Sequence, residues 1–139
     1  MRDRTLLQTV AMATGIVFLL VGVLGFIPGI TTDAPGDFAG QDSNAELFGI
    51  FQVSILHNIV HLLFGIAGLA LARTWDGART FLIGGGIIYL LLWILGLIGG
   101  TNWVPTDVAD DWLHFVLGAG MVGAGYLLGR EPARATVTT

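Results

Sequence analysis

Apolar residues run through this chain in four long stretches separated by short polar connections. The first covers about 5–27 and stops at Pro28-Gly29; the others cover about 47–72, 81–98 and 112–128. Stretches of this kind can cross about 30 Å of hydrocarbon, which takes about 20 helical residues. Lipid offers no partner to a bare backbone N–H or C=O, so each is expected to be a helix. The connections are too short to hold a further folded unit. The pattern therefore predicts an all-α fold, a four-transmembrane-helix bundle in one integral membrane domain over 1–139. Arg2 and Arg4 before the first stretch resemble the start of a secretory signal. The run is too long for a signal core, however, and its A-x-A pattern, Ala11-Met12-Ala13, lies inside it. It reads as a retained first span.

Composition agrees and narrows the function classes. Hydrophobic residues make up 54% and charged residues only 12%, with a mean hydropathy of +0.79; a soluble domain carries about 25% charged residues. The 21 glycines lie inside apolar runs without a G-x-y period, which excludes collagen and flexible linkers. With no cysteine there is no disulfide framework, thiolate metal site or cysteine nucleophile. A net charge of −4 without a basic run argues against nucleic acid as a partner.

Charge sets the expected orientation. All six basic residues (Arg2, Arg4, Arg73, Arg79, Arg130 and Arg134) fall in the two tails and the second connection. The other connections hold no basic residue and seven acids: Asp33, Asp37, Asp42, Glu46, Asp107, Asp110 and Asp111. The positive-inside rule then puts both termini in the cytoplasm and the acidic loops outside.

A repeat is visible as well. Gly15–Ile27 aligns without gaps on Gly86–Ile98, with identity at seven of thirteen positions. Asn58, His61 and Gly65 share a spacing with Asp111, His114 and Gly118. Two tandem hairpins follow, parallel repeats about an axis along the membrane normal. Stripes rich in small residues step by three and four: Gln8, Ala11, Gly15, Phe18, Gly22, Gly25 and Gly29 in the first span, Gly86, Tyr89, Trp93, Gly96 and Gly100 in the third. Ser54, His57, His61, Gly65, Gly68 and Ala72 continue the pattern in the second, and His114, Gly118, Met121, Gly125 and Gly129 in the fourth. Such stripes let helix backbones approach closely, within the bundle or against a second copy or another membrane protein.

Ionisable groups within a membrane are costly, and their default reading is functional. Three histidines qualify: His57 and His61, four apart on one helical face, and His114. At about 1.5 Å per residue, His61 lies about 18 Å from the Arg73 level, while His57 and His114 each lie about 24 Å from their cytoplasmic arginine. The repeat pairs His61 with His114, whereas depth pairs His57 with His114, and depth is the more direct measure. His57 and His114 could ligate a haem from two helices, or His57 and His61 with an outer-loop aspartate could hold a divalent metal. A small apolar ligand or a proton relay is a further reading. The alternative is a packed knot in which His57, Asn58, His61, Ser54 and Gln52 satisfy one another. Against haem, the outer side has no arginine for propionates; against a zinc enzyme, no HExxH-like motif is present. Among the outer carboxylates, Asp111 before Trp112 and Asn44 before Glu46 read as helix caps. Trp103 and Trp112 fit an outer interfacial belt and Trp75 an inner one, and Trp93 fills space opposite a glycine stripe.

Three segments carry a resemblance: Gly25–Thr31, Leu47–Gly65 and Asp111–Gly118. Together they resemble the family of domain of unknown function 4383, uncharacterised four-span membrane proteins mainly from actinobacteria. The resemblance implies the same topology and marks Phe26 to Gly29, His57, Asn58, His61 and His114 as positions of the family pattern. It implies no activity. The expectation is a multi-pass protein of a bacterial plasma membrane, without enzymatic activity or a required cofactor, acting as an accessory, scaffold or envelope component. The alternative is a ligand-binding or redox protein using His57, His61 and His114 with Asn58 in support. A transport pore is disfavoured, because four short spans enclose little volume.

Overall fold

The computed structural model describes residues 4–33, 35, 36, 38, 39, 44–99 and 108–130. The expectations placed on Arg2, Asp37, Asp42, Gly100, Trp103, Asp107 and Arg134 lie outside these residues. The described chain forms four helices, α1 (Leu6–Leu24), α2 (Ile55–Leu71), α3 (Trp75–Leu97) and α4 (Val108–Leu127). Between α1 and α2 lies a small antiparallel hairpin, β1 (Glu46–Leu47) and β2 (Phe51–Gln52). Helices α1 and α3 are long and apolar enough to cross a membrane, and α2 is a shorter apolar helix.

Helix boundaries follow local capping chemistry. The Thr5 hydroxyl accepts the Gln8 N–H and the Gln8 side chain returns to the Thr5 N–H, a reciprocal capping box. Thr74 caps α3 through the Gly77 N–H. That cap corrects the third stretch: helix begins at Trp75, six residues before Phe81, and only Ala72–Thr74 separate α2 from α3. Polar residues before an apolar run join a helix readily once a threonine satisfies its first N–H groups.

The second stretch needs a larger correction. Leu47 to Gln52, expected to be helical, turn back on themselves with Phe48 and Gly49 at positive φ (55° and 67°). The Ser54 hydroxyl, accepting the His57 N–H at 3.1 Å, then starts a helix of only 17 residues, about 26 Å long. Apolar composition was the same in strand, turn and helix, so hydropathy alone did not find the break. The hairpin joins the chain leaving α1, with the Phe48 N–H donating to the Ile30 carbonyl at 2.9 Å and the Thr32 N–H to Glu46 at 3.0 Å. Ala45, Leu47 and Val53 bury against Val21, Leu24 and Ile30, a second small core at this end of the bundle. Asn44 therefore precedes a strand rather than capping a helix.

The helices pair tightly as α1 with α2 and α3 with α4. A methyl group placed on Gly15 would sit 3.0 Å from the Leu69 nitrogen and 3.1 Å from the Gly65 oxygen. On Gly86 it would sit 2.9 Å from the Val122 nitrogen and 2.8 Å from the Gly118 oxygen. A methyl on Gly25 would run into the Asn58 amide, and on Gly96 into the Asp111 carboxylate. These partners correspond one to one under the alignment of the two halves. Where the first hairpin has Gly22 against Leu62, the second has Trp93 stacked on Phe115 with ring centres 4.7 Å apart. The helical parts of all four stripes are thus used inside the chain. Gly29, beyond the end of α1 with φ at 93°, belongs to a turn and not to a helical stripe.

Between hairpins the packing is aromatic instead. Phe18 and Tyr89, equivalent in the repeat, meet at 5.2 Å, with Phe64 touching both. The described arginines gather at one end. There the Gln8 amide donates to the Ala72 and Arg73 carbonyls at 3.2 and 3.0 Å, Arg79 lies beside Gly129, and Arg130 stacks on Tyr126.

Candidate functional site

Opposite the arginine end, the first turns of α2 and α4 aim polar residues inward. On α2, Ser54 and Asn58 are fully buried, and His57 and His61 nearly so. On α4, Asp110 and His114 are 3% and 4% exposed and face the same interior. This corrects the reading of the outer carboxylates as caps or solvated charges. Asp110 and Asp111 lie within the first turn of α4, where helix N-termini favour anions, and Asp110 is buried. Helical spacing of four places Asp110 under His114 exactly as His57 lies under His61.

The three histidines converge, but their roles divide. His61 has a partner at each nitrogen. Nδ1 faces the His57 carbonyl at 3.0 Å, an acceptor, so Nδ1 carries the hydrogen. Nε2 is left as acceptor for the Tyr89 hydroxyl, a long contact of 3.5 Å. Phe18 meets the same imidazole edge-on at 5.6 Å. The Tyr89 hydroxyl contact is weak enough that Tyr89→Phe should cost no more than about 1 kcal/mol, read as a shift in thermal midpoint in mild detergent.

His57 differs. Its ring tilts over His61 at 4.2 Å, yet neither ring nitrogen has a hydrogen-bond partner among the described residues. The buried Asn58 amide lies beside it without a well-aligned hydrogen bond. The expected knot of mutually satisfied polar groups is therefore only partly formed: Ser54 caps the backbone of His57, His61 is held, and His57 and Asn58 are not.

His114 Nδ1 lies 3.6 Å from Asp110 Oδ2, and the Tyr89 ring meets the imidazole edge-on at 5.1 Å. One nitrogen of His57, one of His114 and one oxygen of Asp110 all lie within 4.8 Å of one another. The depth pairing of His57 with His114 thus describes which side chains meet, while the repeat describes which positions are equivalent. His57 corresponds to Asp110, Asn58 to Asp111, His61 to His114 and Phe18 to Tyr89.

Sequence reasoning missed Asp110 and Tyr89. Extending the aligned pattern by one residue would have set Asp110 opposite His57, and the four-residue spacing to His114 was present. Tyr89 appeared only as a member of a stripe. The arrangement offers two imidazoles and one carboxylate, a donor set suited to a first-row divalent ion. It suits haem less well, because the Tyr89 ring meets His114 edge-on with centres 5.1 Å apart and occupies space beside that imidazole.

Neither a curated protein nor a solved structure matches the sequence. One family model, described as a domain of unknown function, matches residues 8–127, which include both hairpins and every residue of the polar centre. The chain belongs to this family, DUF4383.

Proposed function

We propose that the protein is a four-span bundle of a bacterial plasma membrane, without enzymatic activity of its own, that holds a small ligand at its buried polar centre. The observation that carries this reading is the outward placement of large apolar side chains on all four helices, with ionisable groups buried within. All four helices turn large apolar side chains outward, among them Leu20 at 53%, Leu63 at 60%, Leu91 at 55% and Val116 at 62% exposed. The interior holds an aromatic and aliphatic core, with Phe18, Phe81, Leu82, Tyr89 and Met121, and beside it the buried glycines and the polar groups of Ser54, His57, Asn58, His61, Asp110 and His114. In water this would expose an apolar surface far beyond the few hundred Å2 usual for a monomer; in lipid it is the favourable arrangement.

Orientation follows from the arginines at one end, which favours that end, and both termini, on the cytoplasmic side. The matching glycine contacts support two parallel hairpin repeats related by rotation about the membrane normal. The 17 residues of α2 suffice when the β-hairpin fills the outer interface. An accessory role beside other membrane proteins would use the same bundle. Its contact surface would then be the outward leucine and isoleucine rows, since the helical glycine stripes serve internal packing.

Single cysteines at Thr32 and Phe48 should react with a membrane-impermeant maleimide on intact cells. Cysteines at Asp76 and Arg130 should react only after permeabilisation. Labelling of Asp76→Cys from outside would overturn the orientation, and recovery of the chain in the soluble fraction would overturn the membrane reading itself.

A further inference from the structure

We infer that His57, Asp110 and His114 form a site for one divalent transition-metal ion of the zinc class, near the outer end of the bundle. The inference rests on the proposed ligand-holding centre and names what it holds. Three independent observations converge on it. The donor atoms of all three residues lie within 4.8 Å of one another, although they come from helices of different hairpins. Asp110 and His114 are already 3.6 Å apart; a tetrahedral zinc ion with ligand bonds of about 2.1 Å places neighbouring donors about 3.4 Å apart. The His57 nitrogen, within 4.8 Å of both, would have to close the remaining distance by side-chain rotation.

The second observation is the His57 imidazole itself. It is 5% exposed, and although the Asn58 amide lies beside it, neither nitrogen makes a well-aligned hydrogen bond among the described residues. A buried polar group left unsatisfied is costly, and a metal bond at one nitrogen removes the deficit. The neighbouring His61, equally buried, has partners at both nitrogens and stays outside the ligand set.

The third is the asymmetry of the repeat. His57 and Asp110 occupy equivalent positions, so two copies of either hairpin would offer two imidazoles or two carboxylates at this level. Only the divergence of the halves sets one carboxylate against the imidazoles of His57 and His114. The carboxylate offsets part of the ion's charge in a medium where an uncompensated charge is expensive. Two nitrogen donors select zinc, cobalt or a similar ion over calcium and magnesium, which prefer all-oxygen sets. Three protein ligands leave a fourth position for water or a small anion.

The full chain, purified in mild detergent and stripped with a chelator, is titrated with Co2+, whose tetrahedral complexes absorb visible light far more strongly than the aqueous ion. One equivalent should bind with tetrahedral bands, and Zn2+ should displace it. His57→Gln and Asp110→Asn should each weaken binding by more than about 100-fold, the upper end of what losing a mere supporting partner of a ligand costs. His61→Asn should bind within about tenfold of the parent. Helicity and gel-filtration profile identify folded variants. If His57→Gln does not fold, Asp110→Asn decides alone, and if neither folds, the stripped parent chain decides: one equivalent of Zn2+ should raise its thermal midpoint by several degrees. Co2+ binding that remains octahedral, or is equal in parent and folded variants, or a midpoint that Zn2+ leaves unchanged, would overturn the site. Those results would leave the cysteine-labelling pattern untouched, so failure of the metal site and failure of the membrane reading are distinguishable.

Discussion

Gly86→Leu should break the packing of α3 on α4 and lower the thermal midpoint in mild detergent by about 10 °C or more, taking a few degrees per kcal/mol. A Cβ at this position meets the Gly118 oxygen and Val122 Cγ2 at 2.8 Å and the Val122 nitrogen at 2.9 Å. Two of these atoms are backbone, so no side chain can rotate away and the helices must separate. Overpacking typically costs about 1–3 kcal/mol, and a contact between backbones belongs at the upper end. Gly15→Leu should cost a similar amount in the first hairpin, because its neighbours are the equivalent Leu69 nitrogen and Gly65 oxygen at 3.0 and 3.1 Å. Gly84→Leu and Gly120→Leu serve as controls, since a Cβ at either meets nothing within 4 Å. Equal losses at Gly86 and Gly120 would mean that the helices do not pack along the glycine stripe.

His114→Leu, measured in the presence of chelator, should be the other large loss. Its partner Asp110 has a side chain only 4% exposed and keeps its imidazole 3.6 Å away. Replacing the imidazole by an apolar side chain removes a polar neighbour of a buried carboxylate, at a cost of up to about 3–5 kcal/mol. Asp110→Asn in the His114→Leu background should recover part of the loss, because a neutral amide is cheaper to bury than a carboxylate. The two substitutions should therefore be less damaging together than the sum of their separate effects, a coupling of about 1 kcal/mol or more. Additive losses would mean that the two side chains do not interact in the folded protein.

Both experiments probe features that were unequally legible in the chain. The glycine stripes were readable because close helix packing demands small side chains at a fixed step, and a step survives in one dimension. The same holds for the alignment of Gly15–Ile27 on Gly86–Ile98, whose equivalent residues meet equivalent partners. The arginine segregation was also readable, and Gln8, Ala72, Arg79 and Gly129 bring those segments to one end.

The start of α2 was not readable. Hydropathy treats Leu47 to Val53 as it treats Ile55 to Leu71, and the difference lies in a Ser54 cap and two residues at positive φ. Asp110 was misread for a related reason. A carboxylate near a helix end is ordinarily solvated, and its burial depends on which way the first turn of α4 faces.

By itself, then, the sequence determined the number of apolar helices, the equivalence of their glycine positions and the helical level at which His57 and His114 would meet. These depend on periodicity, on charge placement and on rise per residue, all of which are local. Only the tertiary structure decided that His61 is held by the His57 carbonyl and Tyr89, while His57 is left to face Asp110 and His114. That division depends on the rotation of two helices about their own axes and on the distance between hairpins. Both are set by the Phe18–Tyr89 contact and the glycine crossings, which involve residues far apart in the chain.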